Sequence, residues 1–362
     1  MSDHHMPHHT LASDLSSEAR RYLVDFRRRY SASDVVGFLD AASGGRVAVI
    51  GEAIIDEYAY VEPMGKSAKD AVIAVRALSQ ESQAGGAVAV ANHAGAFANR
   101  VDLLTALGER ESRDAFIREH LHEHVQPRFI YKAGSPTIVK RRFIDNYTAA
   151  RLLEVYEFND SVLGIDNEAA FLANLEELLP QVDVVVVADF GHGLISPAAA
   201  RAIEGGARFL AVNAQTNSAN LGFHTITKYQ RADFVSIQER EIRLDRRDRE
   251  GPLPGLLEEL SGLLGTRATL VTRGKSGALL HTTAGTDECP SLAFRVVDRM
   301  GAGDAVFAVA SLCVAAGVPA DAVNFIANAV GAQAVTVVGN RTAVDREALE
   351  RDITMLLTEV GE

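Results

Sequence analysis

The sequence predicts an α/β fold built on a doubly wound, mostly parallel β-sheet with helices on both faces and a small β-sheet lid. From residue 46 onward, strand-like apolar runs alternate with helical stretches, the order expected when crossover helices join parallel strands. The runs are continuous stretches of Val, Leu, Ile and Ala, which is typical of strands buried on both faces. The 362 residues, 47% of them hydrophobic, can fill a large core.

Residues 1–45 are expected to precede the main domain, which we assign to residues 46–362. The first ten residues, MSDHHMPHHT, are polar and rich in histidine, which predicts a disordered tail. Residues 17–40 carry apolar side chains at helical spacing among arginines, which predicts one or two helices. This region is interpreted as a helical extension.

The main domain begins with the strand-like segment RVAVIGEAIIDEY at residue 46. The later predicted strands are VDLLTAL, VDVVVVADF, RFLAVNA, ADFVSI, ATLVTRG and AFRVV. The predicted helices are ANHAGAFAN, EAAFLANLEELL, AAARAIEGGA and GLLEELSGLLG, followed by an Ala- and Val-rich run after residue 304.

Two segments, 57–80 and 129–158, depart from this alternation of strands and helices. Both alternate polar and apolar residues and contain short runs of Tyr, Val, Thr and Ile, a pattern that suits half-solvated antiparallel strands. We therefore expect them to form the lid, a small sheet that projects from the main domain.

The composition of the chain limits the kinds of partner and the cellular location to be expected. The 48 acidic residues exceed the 36 basic ones, for a net charge of -12, which argues against nucleic acid or a membrane surface as the main partner. The two cysteines, Cys289 and Cys313, stand among apolar or small residues, which favours a structural role in a reducing compartment. The sequence shows neither a long apolar run nor a secretory signal pattern. The expected location is the cytoplasm.

The stretch VVDRMGAGDAVF at 296–307 is the strongest candidate for a functional site. Its glycines stand where an apolar, strand-like run gives way to a helix. Glycine admits a close approach to the backbone, and the first N–H groups of a helix attract anions. The pattern predicts a phosphate-binding turn.

Other polar residues also follow predicted strands. They are Asp56, Asp189, Asn213 and the segment Thr272–Gly274. Because the carboxyl ends of parallel strands meet at one edge of a sheet, and ligands bind there, we expect these residues to share an edge with the glycine turn.

The motif DRMGAGD at 298–304 resembles the D-T-x-G-A-G-D signature of the ribokinase-like, or PfkB, carbohydrate kinases. The segments GGAVAVAN (85–92), TRGKSG (272–277) and NAVGAQAV (328–335) extend the resemblance over nearly the whole chain after residue 46. Within the family, GEAIIDEY, PTIVKRRF and ADFGHGLIS are most similar to the D-glycero-D-manno-heptose 7-phosphate kinases.

This resemblance implies a catalytic centre in the glycine turn. Asp304 matches the base that takes a proton from the sugar hydroxyl as it attacks the γ-phosphate of ATP. The N–H groups of Gly301, Ala302 and Gly303 would stabilise the transferred phosphoryl group. Arg299 replaces the threonine of the signature.

The resemblance also implies ATP and Mg²⁺ as cofactors. Glu239 matches the glutamate of the family's N-x-x-E motif and would organise Mg²⁺ through water, with Ser236 in place of the asparagine. The implied nucleotide-binding residues are Asn213, Ser236, Thr272, Gly274, Gly277, Asp298, Asn328 and Gly331. Turn chemistry and helix packing are the structural alternatives for the glycines and for Asn328.

The sugar site implied by the resemblance lies under the lid. Its residues are Asp56, Gly85, Gly86, Asn92, Lys140, Arg142 and Asp189, with Ala89 in place of an asparagine common in the family. Lys140 and Arg142 alternate along a strand, so they share a face and can hold a sugar phosphate. A solvated basic face or an inter-subunit salt bridge explains KRRF equally well.

Three functions follow. The first is an ATP-dependent kinase that phosphorylates the anomeric oxygen of a heptose 7-phosphate in nucleotide-activated heptose synthesis. The second is a kinase of an unphosphorylated sugar or nucleoside. The third is a weakly catalytic protein that binds sugar phosphate or nucleotide as the partner of a nucleotidyltransferase, an activity that would lie on another chain. The family analogy also implies a homodimer.

Overall fold

The computed structural model of the chain describes residues 15–216 and 220–358. Its α-helices are α1 (Ser17–Arg27), α2 (Ala32–Ala42), α3 (Ala87–Gly95), α4 (Asp114–Glu119), α5 (Ile165–Leu178), α6 (Pro197–Gly206), α7 (Glu239–Arg246), α8 (Leu253–Leu264), α9 (Ala302–Ala315), α10 (Ala320–Ala334) and α11 (Arg346–Thr358). Its strands are β1 (Val47–Gly51), β2 (Ala53–Lys66), β3 (Ile73–Gly86), β4 (Val101–Arg110), β5 (Val125–Pro136), β6 (Ile138–Asp145), β7 (Arg151–Glu157), β8 (Val184–Asp189), β9 (Leu210–Ala214), β10 (Phe234–Gln238), β11 (Ala268–Thr272), β12 (Ala278–Thr282) and β13 (Gly285–Cys289).

Nine strands form the large sheet, in the order β13-β12-β11-β10-β9-β8-β1-β4-β5. The central strand β1 pairs in parallel with β4 on one side and β8 on the other. Only the β12–β13 hairpin at one edge is antiparallel. The predicted doubly wound, mostly parallel sheet is therefore confirmed.

Helices cover both faces of this sheet. Val49 and Leu103 point to one face, where they join a core that includes Phe307 and Phe325. Ile50 and Leu104, one residue further along each strand, point to the other core. Burial on both faces explains the continuous apolar strands. Among the described helices, none is long and apolar enough to cross a membrane.

The predicted N-terminal helices are α1 and α2, and they pack into the main core instead of standing apart from it. The ring of Phe26 stacks on that of Phe325 in α10, with the centroids 4.3 Å apart, and Leu23 and Leu39 are fully buried in the same core. The histidine-rich tail lies outside the described residues.

The small sheet has the strand order β3-β2-β6-β7. Its strands include most of the predicted lid, but residues 129–136 belong to β5 of the large sheet, where they pair with β4. The polar–apolar alternation of this segment arises because one face of β5 is covered and the other is open to solvent, so Ile130 is buried while Tyr131 is exposed. Within the second predicted lid segment, only the residues from β6 onward belong to the small sheet.

The predicted strand AFRVV before the glycine turn is absent from the described structure. Residues 290–300 have no regular secondary structure, and the Val296 and Val297 side chains are 51% and 46% exposed. The hairpin β12–β13 already occupies that edge of the large sheet. The apolar run therefore crosses the surface and leads into α9 without pairing.

Candidate active site

The glycine turn lies at the N-terminus of α9, as the sequence predicts. Gly301 caps the helix with a φ of 77°, in the left-handed region that glycine tolerates. A Cβ atom on Gly303 would meet nothing within 4 Å. The backbone of the first helical turn is therefore open to an anion, and the turn can supply N–H donors to it.

The Asp298 side chain stabilises this turn by hydrogen bonds to its backbone. Its carboxylate accepts hydrogen bonds from the backbone N–H groups of Arg299 at 2.7 Å and Met300 at 3.2 Å, and from Gly339 at 3.2 Å. The lid contributes Arg151 of β7, whose guanidinium lies 2.6 Å from the same carboxylate. We predicted that Asp298 contacts the nucleotide, but its oxygens are used by the protein.

Asp304 follows in the first turn of α9 and is partly buried. Burial, with the negative charge of Asp56, raises the pKa of Asp304 to about 7, while Lys140 and a hydrogen bond from Asn340 act to lower it. A carboxyl group with a pKa near neutrality is well suited to take up a proton during a reaction. Asp304 therefore has the electrostatic setting of a general base.

Asp56 on β2 is the charged group that most strongly raises the pKa of Asp304. Its Oδ1 accepts a hydrogen bond from Arg142 of the neighbouring strand β6 at 2.6 Å, and both side chains are buried. A Cβ atom on Gly85 would overlap Oδ2 of Asp56, so the glycine leaves room for the carboxylate. Gly86, with a φ of 59°, turns the chain from β3 into α3.

Lys140 lies on β6, next to Asp56 of β2 in the parallel register. Its side chain is only 7% exposed, and its ammonium lies 5.7 Å from the ring centroid of Tyr156 and 5.8 Å from that of Phe190. Burial lowers the pKa of Lys140, against the attraction of Asp56. Arg141 points to the opposite face of the small sheet, where it pairs with Glu57 at 2.6 Å. The predicted sharing of one face by Lys140 and Arg142 is thus observed.

A cavity of about 1170 Å³ opens beside the glycine turn. Ala302 and Gly303 line it, together with most of the residues predicted to bind nucleotide, which are Thr272, Gly274, Gly277, Asn328 and Gly331. A Cβ atom on Gly274 would meet nothing within 4 Å. The cavity therefore connects the anion-binding turn to a large apolar recess along α10.

The wall of this cavity is basic in an otherwise acidic protein. Its charged residues are Arg240, Arg243, Arg247, Arg249, Arg273, Lys275, Arg299 and a single acid, Glu239. Arg243 pairs with Glu239 at 2.9 Å, and Arg273 bonds to Glu288 at 2.5 Å. The excess of cations favours a polyanionic occupant.

The predicted magnesium residues Ser236 and Glu239 occupy different settings. Ser236 is buried within β10, and its carbonyl accepts a 2.7 Å hydrogen bond from Asn213. These two predicted nucleotide contacts therefore support the sheet. Glu239 lines the cavity but shares its carboxylate with Arg243.

A second pair with the same three-residue spacing lies two positions later, at Gln238 and Glu241. Glu241 accepts hydrogen bonds from the backbone N–H groups of Gln238 at 3.0 Å and Thr216 at 2.9 Å. Burial raises the pKa of Glu241, and its charge in turn acts on Asp304. Sequence reasoning missed this pair, although the repeated spacing signalled it.

Two residues predicted to contact the substrate form hydrogen bonds within the protein instead. Asn92 donates to the carbonyl of His120 and accepts from the N–H of His122, both at 2.8 Å, so it fastens the loop before β5. Asp189 is buried and bonds to Lys228 and to the Tyr229 hydroxyl, each at 2.7 Å. Burial acts to raise the pKa of Asp189, but the charges of Lys228 and His224 hold it below its usual value.

No cluster of three or more His, Cys, Asp or Glu residues that could hold a metal occurs among residues 15–216 and 220–358. His122 and His124 lie with their rings 5.1 Å apart, and His124 contacts the carbonyl of Gly95 at 3.0 Å. These histidines therefore belong to the loop between α4 and β5 and pack against the end of α3.

Comparison with known proteins places the chain in context. A family model described as pfkB family carbohydrate kinase matches residues 45–347. The bifunctional protein HldE of Shewanella baltica is 28% identical over 327 residues, which cover 86% of this chain and 64% of the relative. HldE of Nitrobacter hamburgensis is 29% identical over 324 residues with the same coverage. The chain thus spans less than two thirds of the length of these relatives.

Solved structures agree on the fold. Ribokinase from Thermotoga maritima has a TM-score of 0.64 and 16% identity, over 85% of this chain and 99% of that one. Phosphofructokinase-2 from Escherichia coli has a TM-score of 0.65 and 12% identity, over 87% of this chain and 99% of that one.

Proposed function

We propose a donor and an acceptor for this chain from the premise that it belongs to the pfkB family of carbohydrate kinases. The chain transfers the γ-phosphate of ATP to the anomeric oxygen of a heptose 7-phosphate, in the synthesis of a nucleotide-activated heptose. The similarity to proteins named HldE supports this acceptor, as does the lid motif PTIVKRRF.

The observation that carries the proposal is the buried ammonium of Lys140. Among residues 15–216 and 220–358, no hydrogen bond or ion pair engages it, and its ammonium lies 5.7 Å and 5.8 Å from the ring centroids of Tyr156 and Phe190. The charge of Asp56 attracts this ammonium, but burying a cation without a direct ion pair is unfavourable. An anionic group on the substrate supplies the missing partner, which distinguishes a sugar phosphate from a neutral sugar.

The basic cavity fits ATP as the donor. Gly303 and Gly274 leave open space for phosphates at one end, while Asn328 and Gly331 line the recess along α10. Mg²⁺ usually binds through waters, substrate phosphates and only one or two carboxylates, so Glu239, the one acid that lines the cavity, would hold it alongside its pairing with Arg243. When bound, the metal neutralises charge on the donor phosphates.

The residues of the chain then divide the work of the reaction. Asp56 and Lys140 hold the acceptor beneath the small sheet. Asp304 takes the proton of the attacking hydroxyl, and the open N–H groups of Ala302 and Gly303 hold the transferred phosphoryl group in place. A partly buried site strengthens these electrostatic contacts.

The further partners are proposed by analogy. Exposed apolar side chains on the small sheet, such as Ile73 at 69% and Leu153 at 59% exposure, support a homodimer formed through the lids. A nucleotidyltransferase on another chain would use the product. We place the enzyme in the cytoplasm, where ATP and sugar phosphates occur.

The test is ADP release from Mg-ATP with a panel of acceptors: D-glycero-D-manno-heptose 7-phosphate, sedoheptulose 7-phosphate, fructose, ribose and adenosine. We expect turnover on a phosphorylated heptose that is lost in Asp304→Asn. Lys140→Met should raise the KM for the sugar phosphate at least ~10-fold, because a charge-assisted contact is lost. The matched control Arg141→Met removes the adjacent cation, which faces away from the site.

Each outcome decides between the functions. Turnover on a neutral sugar or nucleoside alone, insensitive to Lys140→Met, would assign the second function and leave Lys140 a structural role. Binding of ATP or sugar phosphate without turnover on any acceptor would favour the nucleotidyltransferase partner.

A further inference from the structure

His93 lies one residue after the predicted contact Asn92 but points in a different direction. Its Nδ1 accepts a hydrogen bond from the backbone N–H of Val344 at 3.1 Å. The side chain is 4% exposed, and burial lowers the pKa of His93 to about 4. A neutral ring whose Nδ1 accepts a hydrogen bond must carry its only proton on Nε2.

This Nε2–H is a buried donor without a hydrogen bond of good geometry in the described structure. The Oδ1 atom of Asn340 is a buried acceptor in the same condition. Both residues line one cavity of about 140 Å³, which Gly301 also lines. Buried donors and acceptors rarely remain unpaired, and the Asn340 side chain interacts with the His93 ring. The two atoms are complementary partners.

Asn340 in turn reaches the catalytic turn. A Cβ atom on Gly301 would overlap Oδ1 of Asn340, so the amide lies directly against the turn. The Asn340 amide also lies close enough to the Asp304 carboxyl to lower its pKa by hydrogen bonding. Once Asp304 is ionised its carboxylate can only accept, so in that state the Nδ2 end of Asn340 must face Asp304 and Oδ1 is left for another donor.

We propose that His93 and Asn340 are positioning residues for the base: the His93 Nε2–H fixes the orientation of the Asn340 amide, which then donates to Asp304. The proposal rests on the proposed function, because it takes Asp304 to be the base. The order of contacts is Val344 N–H to His93 Nδ1, His93 Nε2–H to Asn340 Oδ1, and Asn340 Nδ2–H to Asp304. No proton is transferred along this chain of contacts, since each group keeps its proton.

The charges that face Asp304 come from three other elements. Asp56 of β2 and Glu241 of α7 repel its negative charge, and Lys140 of β6 attracts it. Asn340, from the loop before α11, supplies a neutral donor that opposes the two carboxylates. Loss of this donor should therefore make the base harder to ionise.

Two substitutions of His93 separate positioning from packing. His93→Gln keeps an N–H donor near the place of Nε2, and His93→Asn keeps an acceptor for Val344 but loses the donor to Asn340. We expect His93→Asn and Asn340→Ala to move the acid limb of the kcat/KM profile upward by about one pH unit, which is about a 10-fold loss at low pH that recovers at high pH. His93→Gln and the surface control His124→Asn should leave the limb in place.

A purely structural role would lower activity equally at every pH, and that result, or an unshifted limb in Asn340→Ala, would overturn the proposal. A second readout needs neither activity nor a variant that folds. In ¹⁵N NMR of the wild-type protein, His93 should remain a neutral Nε2–H ring down to about pH 5. An Nδ1–H tautomer would refute the orientation of the amide. If the NMR result holds and no sugar is phosphorylated, the proposed function fails and the hydrogen-bond order stands.

Discussion

Replacing the proposed base by its neutral analogue, Asp304→Asn, should strongly slow phosphoryl transfer and also make the folded chain more stable at neutral pH. Burial and Asp56 raise the pKa of Asp304 from 3.8 to about 7. An acid whose pKa is raised on folding binds its proton more tightly in the folded state. The free energy of unfolding of the wild type therefore falls as pH rises from about 4 to about 7, and levels off above that range.

The size of the effect follows from the two pKa values. At about 1.4 kcal/mol per pKa unit, ionised Asp304 costs about 2 kcal/mol at pH 5 and about 4 kcal/mol at pH 7, before solvent screening of the partly exposed side chain. Asparagine has nearly the same shape and no charge, so the variant avoids this cost. Its stability advantage should therefore increase with pH.

Urea unfolding of both proteins at intervals between pH 5 and pH 8 measures this difference in the free energy of unfolding, the stability gap. The kcat for ADP release is measured on the same samples. Loss of the base should lower kcat by about 10²–10⁴-fold. Asp145→Asn is the matched control, because backbone hydrogen bonds from Tyr147 and Thr148 lower the pKa of Asp145 and the gap should have the opposite sign. A variant that is less stable than the wild type, or a gap that does not change with pH, would refute the reasoning.

Three further substitutions test other parts of the site. Gly303→Ala adds a methyl group in open space. We expect the free energy of unfolding to stay the same or rise by about 1 kcal/mol, while kcat/KM for ATP falls at least ~10-fold. Full activity would show that phosphate does not approach this backbone. Gly85→Ala forces a Cβ atom onto Asp56 and should raise the KM for the sugar but not for ATP, and equal effects on both would contradict a role of Asp56 in the sugar site. Lys228→Met leaves the buried carboxylate of Asp189 without its cation. It should lower the free energy of unfolding in urea by about 3–5 kcal/mol and leave kcat/KM of the folded enzyme unchanged. Lost turnover at full stability would instead support a role of Asp189 in substrate binding.

Local sequence was enough to predict most of the fold. Runs such as VDVVVV specify buried parallel strands because their side chains are apolar on both faces. Prediction from local sequence failed where pairing with another segment decides which sheet a strand joins. Residues 129–136 alternate like lid strands, yet β4 had an unpaired edge that they complete.

The position of a side chain around a helix was likewise beyond the sequence. Asn92 and His93 are adjacent on α3, but about 100° of helical rotation separates them. The packing of α3 against the large sheet directs Asn92 to the loop at His120 and His93 to Val344. A contact between residues 251 positions apart in the chain leaves no local signal in either segment.

Residue types and their local order set the chemistry of this protein: the strand and helix periods, the acidic balance, and the glycine turn with its aspartate. These properties are local, since they depend on side-chain type and on backbone angles within a few residues. Which charges neutralise one another depends instead on how the chain folds. Folding paired Asp56 with Arg142 and Asp189 with Lys228, left Lys140 without a described partner, and raised the pKa of Asp304 by burial. Burial and electrostatic coupling depend on distances between remote segments, and only the folded chain sets those distances.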